Sequence, residues 1–129
     1  MKRYYTAESV TEGHPDKLCD LIADSVLDDC LKGDSDSKVA CEVLATKGRI
    51  IVAGEITSRR NPNVSERVKE VLEDLGYSPE GIQIDVCLHR QSPDIAEAVA
   101  HSMEQREGLS EEQDGRNEGA GDQGIMTGY

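Results

Sequence analysis

An α+β fold, built on an α-β-β-α-β unit, is predicted by three features of the sequence. An apolar stripe at helical spacing comes first. Two alternating runs joined by a Lys-Gly turn come second. A second helix with its own cap, leading into one more alternating run, comes third.

The first element is "HPDKLCDLIADSVLDDCL", residues 14–31. Pro15 suits a first helical turn, where a missing N–H costs nothing, and Gly33 suits the stop. Cys19, Ile22, Ala23, Val26, Leu27, Cys30 and Leu31 make the stripe. Asp16, Asp20, Asp24 and Asp28 follow at i, i+4, a spacing that opposes helix formation slightly. Asp20, Asp24 and Asp28 read as a solvated acidic face; Asp16 stands apart, beside His14 at the helix start.

Residues 38–57, "KVACEVLATKGRIIVAGEIT", predict a β-hairpin turning at Lys47-Gly48. A symmetric turn places Ala40, Glu42 and Leu44 on one face with Ile51, Ala53 and Glu55. Glu42 then lies opposite Ala53, with Glu55 its diagonal neighbour roughly 7 Å away at the backbone. Two carboxylates on an otherwise apolar face are costly unless each meets a cation or a donor. The other face (Val39, Cys41, Val43, Ile50, Val52, Ile56) is at least as apolar, so the pattern leaves open which face is the core.

"NVSERVKEVLEDLGY" predicts a second helix, with Asn63 and Glu66 at capping-box spacing, Val64, Val68, Val71, Leu72 and Leu75 buried, and Gly76 as the stop. "IQIDVCLH" alternates as a strand with Ile82, Ile84, Val86 and Leu88 on one side. "SPDIAEAVAHSM" carries only a weak stripe (Ile95, Val99, Met103) and reads equally as a helix or a mobile loop. Residues 104–118 are polar and read as linker.

The 129 residues suit one domain, and the core must be aliphatic because the chain has no Phe and no Trp. A net charge of −12 argues against nucleic acid or an anionic membrane as partner, and no apolar run approaches membrane-span length. No secretory signal is visible, and the four cysteines (Cys19, Cys30, Cys41, Cys87) match no common zinc spacing. They read as reduced, mostly buried thiols of a cytoplasmic protein.

"GAGDQG", Gly119 to Gly124, fits G-x-G-x-x-G. A dinucleotide fingerprint follows a strand and opens a helix, whereas this stretch follows a hydrophilic run and precedes only "IMTGY". The motif alone leaves a glycine-rich terminal loop or a substrate loop. Read together and in order, "ESVTEGHPDK" (Glu8 to Lys17), "GEIT" (Gly54 to Thr57), "RQSPDI" (Arg90 to Ile95) and "GAGDQGIMTGY" (Gly119 to Tyr129) resemble the N-terminal part of the S-adenosylmethionine synthetases, or methionine adenosyltransferases. The resemblance covers essentially the whole chain.

That resemblance implies an enzyme that joins ATP to L-methionine. The methionine sulfur attacks the ribose 5′ carbon, and the released triphosphate is hydrolysed to diphosphate and phosphate. It implies Mg²⁺ and K⁺ as cofactors. It also implies a homo-oligomer, a dimer or a dimer of dimers, whose active sites are shared between subunits. By the same resemblance His14 contacts the triphosphate side of ATP near the bond that breaks, and Asp122 is a loop acid contacting substrate. Asp16 and Glu8 resemble Mg²⁺-site acids, and Glu42 a K⁺ ligand. Glu55 resembles the acid that binds the methionine ammonium, and Gln91 a methionine-binding residue at the base of a gate loop running to about Met103.

Chains of that family are about three times longer, with three similar intertwined α+β domains. The expected organisation here is therefore residues 1–12 as a strand segment completed by downstream chain, 13–103 as the α+β domain, and 104–129 as linker and substrate loop. With 14 Lys+Arg against 26 acids, no basic cluster in these residues could balance a triphosphate, so turnover by this chain alone is not expected. The second reading is a non-catalytic assembly module, or one that binds methionine or a cation and completes a site on another chain.

Overall fold

Proline at the first helical position has no hydrogen bond to lose. In the computed structural model, which describes residues 3–90, helix α1 spans Pro15–Gly33 with Pro15 in its first turn. Hairpin strands β1 (Lys38–Thr46) and β2 (Arg49–Thr57) follow, then helix α2 (Val64–Asp74) and strand β3 (Gln83–His89). The α-β-β-α-β order is as expected. The readings on residues 91–129, Gln91 and Asp122 among them, lie outside the described residues. Residues 3–11 belong to no helix or strand and are exposed.

The hairpin register is the symmetric one, with Thr46 opposite Arg49, Glu42 opposite Ala53 and Ala40 opposite Glu55. Gly48 makes the two-residue turn possible because it sits at φ 72°, a region that L side chains rarely adopt. Strand β3 adds to β2 in parallel, pairing Ile50 with Ile84 and Glu55 with His89, so the sheet order is β1-β2-β3. A parallel pair needs a crossover, and α2 supplies it.

Burial decides the face that the sequence pattern left open. Ile50 and Val52 are buried and form one cluster with Ile22 and Val26 of α1 and with Val64, Val68 and Leu72 of α2. Val39, Cys41, Val43 and Ala45 share that face and are half-buried. Each buried aliphatic side chain contributes roughly 1.5–3 kcal/mol relative to exposure, and two helices bring their apolar stripes to this side. The Ala40, Glu42 and Leu44 face is left exposed, Leu44 at 61%.

Helix ends show where local chemistry was and was not readable. The Asn63 side chain accepts from the Glu66 N–H, as the cap spacing predicts. Gly76 stands at φ 80°, with its N–H donating to the Glu73 carbonyl and the Tyr77 N–H to the Leu72 carbonyl, a Schellman ending. Gly33 ends α1, as the sequence signalled, but not as a left-handed cap. It is the last helical residue, and Asp34 caps in an extended conformation, its N–H donating to the Cys30 carbonyl. Glycine is needed at 33 because the Arg60 side chain crosses it, leaving a Cβ only 2.9 Å from the arginine Cβ. Leu31 is a correction: this last member of the stripe is exposed, while Asp29 and Cys30 turn inward. Among the described residues no helix is long and apolar enough to cross a membrane.

Candidate active site

A helix start presents free N–H groups, and His14 is placed to use one. It is the N-cap of α1, and its Nδ1 accepts from the Asp16 N–H at 3.2 Å. An imidazole that accepts at Nδ1 carries its proton on Nε2, so the outward nitrogen is a donor suited to a phosphate oxygen. The partial positive charge of the helix start adds to that preference for an anion. Capping and anion recognition are thus compatible roles of one ring. Asp16 is exposed, with Oδ2 4.0 Å from the His14 ring, and Glu8 is exposed outside any element. Among the described residues no three His, Cys, Asp or Glu side chains converge as a metal cage. A Mg²⁺ held mainly by substrate phosphates needs only one or two carboxylates, and Asp16 fits that requirement.

Glu42 and Glu55 stand on the opposite side of the sheet from the helices. Neither carboxylate has a hydrogen-bond or ion-pair partner among the described residues, although Arg49 and Asp85 pair on the same face. The Arg49 bond to Asp85, helped by Gln83, holds that carboxyl below its ordinary range. Unmet carboxylates beside Ala40, Ala53 and Leu44 present negative charge on an apolar floor, an arrangement that favours a cation.

The structure therefore separates the site residues into two groups. Gly13 and Pro15 line one cavity with Thr46, Lys47 and Gly48, so His14 lies at the hairpin-turn end of the sheet. Glu55 lies six residues further along β2, about 20 Å at strand spacing, and on the other face.

The Glu55 end carries a feature that sequence reasoning missed. Asp29 and Asp34 of the α1 C-terminus are buried. Asp34 accepts from the Arg59 guanidinium at 2.7 Å and from the Arg59 N–H at 2.9 Å. These bonds, the guanidinium foremost, hold its carboxyl down to about 2. Asp29 accepts from Arg60 at 2.8 and 3.2 Å, and Ser37 bonds Ser58 at 2.7 Å. The segment after β2 is thereby clamped to the end of α1, three to five residues beyond Glu55. The signal available in sequence was "SRR" after a strand facing "DDCLKGD" at a helix end, but only contact shows which acid each arginine meets. The cysteine expectation is also corrected. All four are free thiols, but only Cys30 is buried; Cys19 and Cys41 are half-buried and Cys87 is exposed on the Glu42–Glu55 face.

The fold and these residues define an α+β module that presents an anion-suited helix start at one end and a cation-suited acidic sheet face at the other. The family description "S-adenosylmethionine synthetase, N-terminal domain" matches residues 2–101. The chain is 44% identical to an S-adenosylmethionine synthase of Crocosphaera subtropica over 99% of its length and 32% of that protein. It is 46% identical to the synthase of Brachyspira hyodysenteriae over 98% of its length and 33% of that protein. A solved S-adenosylmethionine synthetase from Campylobacter jejuni superposes with a TM-score of 0.62 at 32% identity, covering 70% of this chain and 26% of that one. The chain belongs to the S-adenosylmethionine synthetase family, as its N-terminal domain, and spans about a third of the length of the curated relatives it matches.

Proposed function

We propose that this chain supplies the methionine-binding side and one phosphate-side histidine of an S-adenosylmethionine synthetase, an enzyme joining ATP and L-methionine. The carrying observation is the pair of carboxylates without partners among the described residues, Glu42 and Glu55, on the sheet face turned away from both helices. A thioether needs no general base to attack the ribose 5′ carbon. The demands are alignment of sulfur and carbon and stabilisation of charge on the departing triphosphate. Glu55 takes the substrate ammonium and thereby orients the amino acid; Gln91 adds to the same subsite. His14 donates from Nε2 to the triphosphate, and Asp122 contacts substrate from its loop. Mg²⁺ would be held by Asp16, with Glu8 near it, and would offset phosphate charge when bound; K⁺ would lie at Glu42.

Glu55 lies about 20 Å along β2 from the hairpin turn that His14 neighbours, and on the other face, which favours a homo-oligomer, a dimer or a dimer of dimers, in which one copy's His14 meets another's Glu55. Such an enzyme would work in the cytoplasm, without nucleic acid or membrane. The test is Glu55→Gln in a complete synthetase that carries this domain. Calorimetric titration should show L-methionine affinity falling more than tenfold, with ATP affinity unchanged. Equal losses for both ligands would overturn the assignment of Glu55.

A further inference from the structure

We infer that His89 is a further specificity-determining residue of the amino-acid subsite and donates to the carboxylate of the bound substrate. The inference rests on the methionine-site reading of Glu55 and adds the other half of that recognition. An α-amino acid carries its ammonium and carboxylate on one carbon. A protein that selects it from amines and acids needs an acceptor and a donor side by side. The parallel register makes Glu55 and His89 direct partners on neighbouring strands, and neighbouring strands lie about 4.8 Å apart. Side chains alternate, so both belong to the sheet face that carries Ala53, Cys87 and Glu42.

The geometry leaves both groups available. Glu55 and His89 form no hydrogen bond or ion pair with each other or with any other described residue, and His89 is exposed. A carboxylate acceptor and an imidazole N–H donor thus stand side by side on adjacent strands, one strand spacing apart at the backbone. The opposite neighbour of Glu55 is Ala40, which can donate nothing from its side chain. Lys38 is another donor at this end of the face, but it lies opposite Thr57 and is only diagonal to Glu55, roughly 7 Å away. His89 is therefore the nearest donor that the sheet register offers to a ligand anchored at Glu55.

The experiment compares L-methionine with L-methioninol, in which a hydroxymethyl group replaces the carboxylate, by titration into the chain and into His89→Ala, His89→Gln, Lys38→Ala and Glu55→Gln. The unsubstituted chain should prefer L-methionine. His89→Ala should lower L-methionine affinity about tenfold and leave L-methioninol unchanged, a loss of the size expected for one hydrogen bond to a charged group. His89→Gln keeps a donor and should keep part of the preference, and Lys38→Ala should keep all of it. A His89→Ala chain that loses both ligands equally, or neither, while Glu55→Gln still weakens L-methionine, would overturn the inference and leave the Glu55 reading standing. A Glu55→Gln chain that binds L-methionine normally, or an unsubstituted chain that binds none, would remove both.

Discussion

Gly54→Ala is the substitution for which the structure gives the most definite expectation. Gly54 lies inside β2, immediately before Glu55, at φ 137°, a value that L side chains rarely adopt. Holding an alanine there costs about 1–3 kcal/mol. The added Cβ would also press into the Ala40 carbonyl, lying inside contact distance of its oxygen, 3.1 Å from its carbon and 3.4 Å from the Cys41 Cα. Relieving that overlap means moving β1 backbone, and an unmet ladder group costs about 1–3 kcal/mol more. The sum is about 2–6 kcal/mol, a large part of the roughly 5–15 kcal/mol that holds a domain folded. Gly48→Ala is the matched control, because φ is again positive at 72° but nothing lies within 4 Å of the new Cβ. Its cost is conformational alone, about 1–2 kcal/mol. In urea, with a slope of about 2 kcal/mol per molar, the central values put the Gly54→Ala midpoint roughly 1 M below that of Gly48→Ala. Equal midpoints for the two variants would refute the argument that the Ala40 carbonyl excludes a side chain at position 54.

Two further expectations concern charge and thiol chemistry. Asp34 is held below its ordinary value of 3.8, to about 2, so its stabilising contribution is present above about pH 4 and lost as pH falls through about 2. Asp85 is lowered in the same direction by Arg49. Urea midpoints should therefore fall steeply between pH 4 and pH 2, and Asp34→Asn should be less stable at pH 6 with a flatter acid profile; parallel profiles would contradict the Arg59 clamp. Burial pushes the Cys41 thiol up to about 11 and raises Cys19 and Cys30, whereas Cys87 is exposed. An aromatic disulfide reagent at pH 8 should titrate one fast thiol per chain, and Cys87→Ser should abolish that phase.

Much of this architecture was legible before any coordinate. Local rules carried the elements: Pro15 opens α1, Asn63 caps α2, and Lys47-Gly48 sets the hairpin register that brings Glu42 opposite Ala53. Those features depend on a few adjacent residues, so they survive without knowledge of the rest of the chain. The four ordered motifs likewise named the family, because several specific stretches in one fixed order rarely coincide by chance.

Tertiary structure decided what depends on partners distant in sequence. The hairpin had two comparably apolar faces, and only the packing of α1 and α2 onto Val52 and Ile50 turned Glu42 and Glu55 outward. No local pattern pairs Asp34 with Arg59 across 25 positions or brings His89 beside Glu55, because a parallel register is set by how α2 carries the chain back across the sheet. Gly33 ends α1 as the sequence signalled, but its constraint is the Arg60 side chain rather than its own backbone angle. The sequence by itself determined the elements, the family and the residue types at the site. The fold alone determined which of those residues share a face and which lie a sheet's length apart, since contacts between remote segments depend on the packing of the whole domain.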